Sequence, residues 1–160
     1  MFKKILWATD GSAAGDVALP LVKALAEESR RVVVVFYSAL HYVGTHAYGY
    51  PVYVDEDETK DRIRAQVQSL CDDGYQATAE IVEGNTLSGA GHDIAEAADR
   101  EAVDLIVVGT RGHTALGGLL LGSVTQRLLH IAPCAVMVVP TPVSTGSGGQ
   151  ETAAETAATA

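Results

Sequence analysis

Cysteine is scarce in this chain: Cys71 and Cys134 are the only two in 160 residues. Two thiols cannot make a multi-disulfide scaffold, and so low a number fits a reducing, cytoplasmic interior. Long apolar runs are missing as well. None approaches the roughly 18 residues of a spanning helix, so no membrane association is expected. The start, Met1-Phe2-Lys3-Lys4-Ile5-Leu6-Trp7, turns polar at Thr9-Asp10-Gly11, too soon for a secretory signal. Basic residues are few, with 11 Lys and Arg against 20 Asp and Glu, a formal charge of −9. An acidic surface repels a phosphodiester backbone and argues against a nucleic-acid groove. It still permits one nucleotide in a local nest of backbone amides.

Assembled catalytic and metal signatures are lacking too. His41 and His46 stand five apart, but no cysteine or third histidine lies close enough to complete a zinc set. Neither cysteine carries a local His/Asn signature, and no nucleophile–base pair is visible, so no catalytic residue is assigned. Gly117-x4-Gly122-Ser123 has Walker-like spacing without the lysine, and Gly84-x4-Gly89 is followed by Ala90; neither has P-loop chemistry. Gly89-Ala90-Gly91 is half of a dinucleotide fingerprint and reads as helix-entry punctuation.

What is present is a core. Hydrophobic residues make up 48% of the chain, enough for one globular domain. That domain is expected over residues 1–140, with residues 141–160, rich in Gly, Ser, Thr and Ala, as a flexible tail. Five short apolar runs read as strands: Lys4–Thr9, Arg31–Ser38, Gln76–Glu83, Asp104–Gly109 and Cys134–Pro140. Val32-Val33-Val34-Val35-Phe36-Tyr37 and Leu105-Ile106-Val107-Val108 are continuous, as in parallel strands covered on both faces. The third run alternates more and belongs nearer an edge. Helical periodicity fills the gaps, over Ser12 to Glu28, Asp57 to Cys71, Thr86 to Ala102 and Gly118 to Ile131. Asp10 or Ser12 can cap the first helix, and Pro20 should kink it or shift its start.

The alternation β-α-β-α-β-α-β-α-β predicts an α/β fold, an open parallel sheet with helices on both faces. Ligands of such sheets bind beyond the carboxyl ends of the strands, where the strand order reverses. The fourth strand leaves through Gly109-Thr110-Arg111-Gly112, and nine residues later come Gly122-Ser123. This G-x2-G-x9-G-S pattern follows a strand and opens a helix. Phosphates need several N–H donors at close range, and a helix start offers unpaired amides and a positive dipole end. Glycines after strands are also ordinary turn residues. Arg111 and His113 can meet a phosphate or stand as solvated loop residues. Cys134 reads as core; His92 and His130 read as helix-surface residues.

Lys4–Ser12, Asp104–Gly112, Leu121–Thr125 and Pro133–Val139 together resemble the universal stress protein family, in the family's order and over nearly all of Met1–Pro140. The glycine spacing is similar to that of the ATP-binding branch. The resemblance implies a five-stranded Rossmann-like sheet (adenine nucleotide alpha hydrolase-like) in order 3-2-1-4-5. It implies homodimerisation through the last strand, here Ala135–Val139. Carried over by position, Asp10 contacts ribose or adenine, Ala8 lines the base with Thr9 beside it, and Tyr37 faces the adenine. Val108 and Gly109 border the nucleoside. Gly112, Gly122, Ser123 and Thr125 hold phosphates with the backbone of Val124, and Arg111 stands among them. Mg²⁺ enters only as a companion of ATP, held mainly by its phosphates.

Two departures bear on this. Tyr37 is bulkier than the aliphatic residue frequent there, and can stack on adenine or fill part of the pocket. The Tyr-rich segment His41–Asp55 can cover a nucleotide, contact a partner or simply pack. The implied function is an ATP-binding stress-response regulator with slow or absent hydrolysis, since no base is evident. The alternatives are an interaction module of the same fold that binds no nucleotide, and a cyclic-nucleotide binder.

Overall fold

The computed structural model describes residues 2–27, 32–39, 56–83, 89–110 and 121–140. The Tyr-rich segment, Arg111, Gly112, His113 and residues 141–160 lie outside them.

Five parallel strands form one sheet: β1 (Lys4–Ala8), β2 (Val32–Ala39), β3 (Gln76–Glu83), β4 (Leu105–Gly109) and β5 (Ala135–Val139). Their order is β3-β2-β1-β4-β5, with the alternating third run at an edge as expected. The continuous apolar runs are explained by two cores. Ile5, Trp7, Val33, Val35, Tyr37, Leu105 and Val107 enter one, and Leu6, Ala8, Val34, Phe36, Ile106 and Val108 the other. Successive strand residues point to opposite faces, so a strand buried on both sides has no polar position to spare.

The first face is covered by α2 (Leu19–Glu27), through Val22 and Ala26, and by α3 (Glu56–Asp72), through Ile63 and Leu70. The second is covered by α4 (Ala90–Arg100), through Ile94, Ala95, Ala97 and Ala98, and by α5 (Ser123–Ile131), through Leu128. Full burial of each large aliphatic is worth about 1.5–3 kcal/mol. That is ample reason for the helices to hold these faces.

The helix expected over Ser12 to Glu28 is two helices. A single turn, α1 (Ala13–Asp16), is capped by Ser12, whose hydroxyl accepts the Gly15 N–H. The chain then restarts as α2, with Pro20 in its first turn. Proline lacks an N–H and its ring crowds the carbonyl four residues back, so a helix cannot run through it but can begin with it. The third expected helix, α4, begins later than Thr86, with Gly89 as its N-cap. The fourth expected helix, α5, begins at Ser123, with Gly122 as its N-cap. Among the described residues no helix is long and apolar enough to cross a membrane.

Candidate functional site

The strand order reverses between β1 and β4, which pair Ala8 with Val108. Both strands are buried to their last residues, so what the chain does on leaving them decides the site.

From β1 the backbone is held one residue beyond the strand, where the Thr9 N–H donates to the Phe36 carbonyl at 3.0 Å. The chain then turns sharply. Thr9 Oγ1 accepts the Gly11 N–H at 3.1 Å. Asp10 Oδ1 accepts the Ser12 N–H at 3.0 Å and the Ser12 hydroxyl at 2.6 Å. Gly11 has φ 73°, and a Cβ there would stand 2.6 Å from Thr59 Cγ2 on α3. The left-handed backbone and the lack of space both require glycine. Arg62 and Gln66 of α3 bond the Asp16 carboxylate of α1, so α3 holds this loop from outside.

Tyr37 stands near the end of β2 and is only 6% exposed, packed into the first core. Burial, then the Glu56 and Asp10 carboxylates, push its phenol above the ordinary range. The charge of Asp10 is thus felt at Tyr37, one strand away.

From β4 the exit is tied on both sides. The Thr110 N–H donates to the Val139 carbonyl at 2.9 Å, and the Gly122 N–H to the Thr110 carbonyl at 2.8 Å. Thr125 is buried, and its hydroxyl donates to the Gly109 carbonyl at 2.9 Å. These bonds bring the start of α5 to the end of β4. The Gln126 N–H donates to the Gly122 carbonyl, the first bond of the helix's own ladder. The amides of Ser123, Val124 and Thr125 therefore have no partner within the helix, as the first turn of any helix requires.

Of the residues expected from sequence, Ala8, Thr9, Asp10, Tyr37, Val108 and Gly109 come together along the carboxyl ends of β1, β2 and β4. Gly122, Ser123, Val124 and Thr125 form the N-terminus of α5 beside them. Arg111 and Gly112 lie outside the described residues. Thr125 differs from its expected role in one respect: its hydroxyl proton is committed to Gly109, leaving its amide to face outward interactions. Ser12 and Gly15 belong to the same network, and the sequence marked only the capping half of it. The expected surface histidines, His92 and His130, are exposed, and Cys134 is half-buried against the second core. Burial raises the Cys134 thiol above its usual value.

Two shallow grooves among the described residues lie elsewhere. One, of about 520 Å³, is lined by Pro20, Lys23, Ala24, Glu27, Asp73 and Tyr75. The other, of about 240 Å³, lies between β3 and α4 and carries Glu80, Glu83, Asp93 and Glu96 with Arg100.

The sequence profile of the universal stress protein family matches residues 1–140. Universal stress protein YxiE of Bacillus subtilis is 31% identical over 147 residues, covering 87% of this chain and 99% of its own. Universal stress protein MJ0577 of Methanocaldococcus jannaschii is 30% identical over 156 residues, covering 87% of this chain and 95% of its own. The solved MJ0577 structure superposes with a TM-score of 0.75 at 28% identity, over 90% of this chain and 99% of that one. A universal stress protein solved in complex with cAMP has a TM-score of 0.58 at 20% identity, over 88% and 98%, a likeness of fold alone.

Proposed function

This chain belongs to the universal stress protein family, and from that premise we propose that it is an ATP-binding member. In this reading it is a nucleotide-dependent stress-response regulator that acts as a homodimer and hydrolyses ATP slowly or not at all. One observation carries the reading: both segments that leave the sheet at its switch point offer hydrogen-bonding groups there. On one side stand the Asp10 carboxylate and Ser12; on the other stand the three helix-start amides of Ser123, Val124 and Thr125. Acceptors on one wall suit sugar hydroxyls or an exocyclic amine. Donors with a positive dipole end on the other suit phosphates.

In this assignment Ala8, Thr9, Val108 and Gly109 border the nucleoside, and Asp10 takes the ribose or adenine. Tyr37 walls the base. Gly122, Ser123 and Val124 hold phosphate, and Thr125 contributes its amide. No acidic residue occupies the first turn of α5, so no carboxylate in that turn opposes a bound phosphate. Among the described residues no group of three His, Cys, Asp or Glu side chains could hold a metal ion. Mg²⁺ in this reading accompanies ATP and is held mainly through its phosphates.

The burial of Tyr37 favours a second reading, in which the phenol closes the base pocket and the fold serves only as an interaction module. Calorimetric titration with ATP, ADP and cAMP separates these readings and the cyclic-nucleotide one. Gly122 has φ −70° and ψ 159°, a conformation any residue can adopt, so Gly122→Val should keep the fold. We expect it to weaken ATP binding on the order of 100-fold, the loss of about two charge-assisted hydrogen bonds. Unchanged affinity would reject the phosphate assignment. Native mass spectrometry reads the oligomer and any co-purified nucleotide together.

A further inference from the structure

Gly15 is buried where α1 lies against the β1 exit. A Cβ at this position would stand 2.9 Å from Asp10 Oδ1 and 2.9 Å from Thr9 Oγ1, closer than carbon and oxygen pack without displacement. Neither oxygen is the loose end of a flexible side chain. Asp10 Oδ1 accepts two hydrogen bonds from Ser12, and Thr9 Oγ1 accepts one from Gly11. The Gly15 N–H donates to Ser12 Oγ at 3.1 Å, and Ser12 Oγ–H donates on to Asp10. One chain of hydrogen bonds thus runs from the backbone of Gly15 to the carboxylate it touches.

Local conformation gives no reason for glycine here. Its backbone is helical and is not among the positive-φ glycines, and alanine is the better residue inside a helix. Space is the remaining reason, and the space is filled by Thr9 and Asp10. We infer that Gly15 is a positioning residue for the nucleotide: its missing methyl lets α1 seat directly on Thr9 and Asp10 and fixes where the Asp10 carboxylate stands. This inference rests on the nucleotide reading above. Gly15 touches no ligand in it and acts through Asp10.

The test is a double-mutant cycle on the full-length chain, with wild type, Gly15→Ala, Asp10→Ala and the double variant. Each is titrated with ATP by calorimetry and followed through thermal unfolding. Gly15→Ala should weaken ATP binding about tenfold, the weight of one hydrogen bond to a charged group. Its effect on binding should shrink in the Asp10→Ala background, because the carboxylate it displaces is gone and only the contact with Thr9 remains. A purely structural role would instead lower the unfolding midpoint and add its loss in both backgrounds. If Gly15→Ala alone unfolds, the double variant must recover part of the midpoint, since the clash with Asp10 is relieved and only that with Thr9 remains. Wild-type affinity in Gly15→Ala, an additive cycle, or no such recovery each overturns the inference. A wild-type protein that binds no ATP instead removes the nucleotide reading itself.

Discussion

Tyr37 is where the charge of the candidate site meets the core. Its ring belongs to the same buried cluster as Trp7, Val35 and Ile63, while its phenol feels the charges of Glu56 and Asp10 and is held above the usual tyrosine range, first by burial. Folding therefore favours the neutral phenol. This contribution is fully present below the unfolded value near pH 10 and is lost as the pH rises through the higher folded value. Tyr37→Phe should flatten the alkaline end of the stability curve and leave the neutral region nearly unchanged. Denaturant unfolding across alkaline pH checks this, and an unaltered alkaline slope would show that other groups set it. The same variant tests whether the hydroxyl matters to binding: phenylalanine keeps the wall and removes only the polar tip.

At the scale of an element, α5 is positioned by what it bonds to rather than by its own cap. Its N-cap, Gly122, has no side chain to satisfy the first amides, which leaves them available. The helix start is pinned instead by the Gly122 amide on Thr110 and by the Thr125 hydroxyl on Gly109. Thr125→Val keeps the shape and removes that hydroxyl, leaving the Gly109 carbonyl short of a buried donor. We expect a loss of about 1–3 kcal/mol, read as a shift in denaturant midpoint with an unchanged slope. On the other side of α5, Gly91 of α4 would bring a Cβ to 3.1 Å from Arg127 and 3.2 Å from the Val124 carbonyl. Small residues there let α4 and α5 close tightly over β1 and β4.

For the whole molecule the open question of assembly sits at β5. It pairs with β4 on one side, and its residues Val136, Met137, Val138 and Val139 are only half-buried. An apolar edge of this kind calls for a cover. The Val139 carbonyl accepts from Thr110 and so points toward β4. By the alternation of a strand, the N–H of Val138 points outward. Val138→Pro therefore removes an outward donor while sparing the β4 ladder, a place where an edge strand tolerates proline. If β5 forms the proposed dimer, this variant should run as a folded monomer in sedimentation, and retention of the dimer would move the interface elsewhere. The −9 charge adds a salt dependence, since self-repulsion between two acidic copies weakens as salt screens it.

Alternation of apolar runs with helical periodicity was enough to determine an α/β sheet. Doubly covered strands leave a mark along the chain itself, with every position of Leu105–Val108 apolar. The capping serine and the breaking Pro20 were legible for a related reason: each acts on backbone a few residues away. Other features depend on residues far apart in sequence and had no local mark. The sequence did not reveal that Thr125 spends its hydroxyl on Gly109. Nor did it reveal that Thr59 presses on Gly11, or that Gly15 clears room for Thr9 and Asp10. Those are facts of distance between helices and strand ends. Only packing the helices onto the sheet creates such distances, so only the tertiary structure decided them.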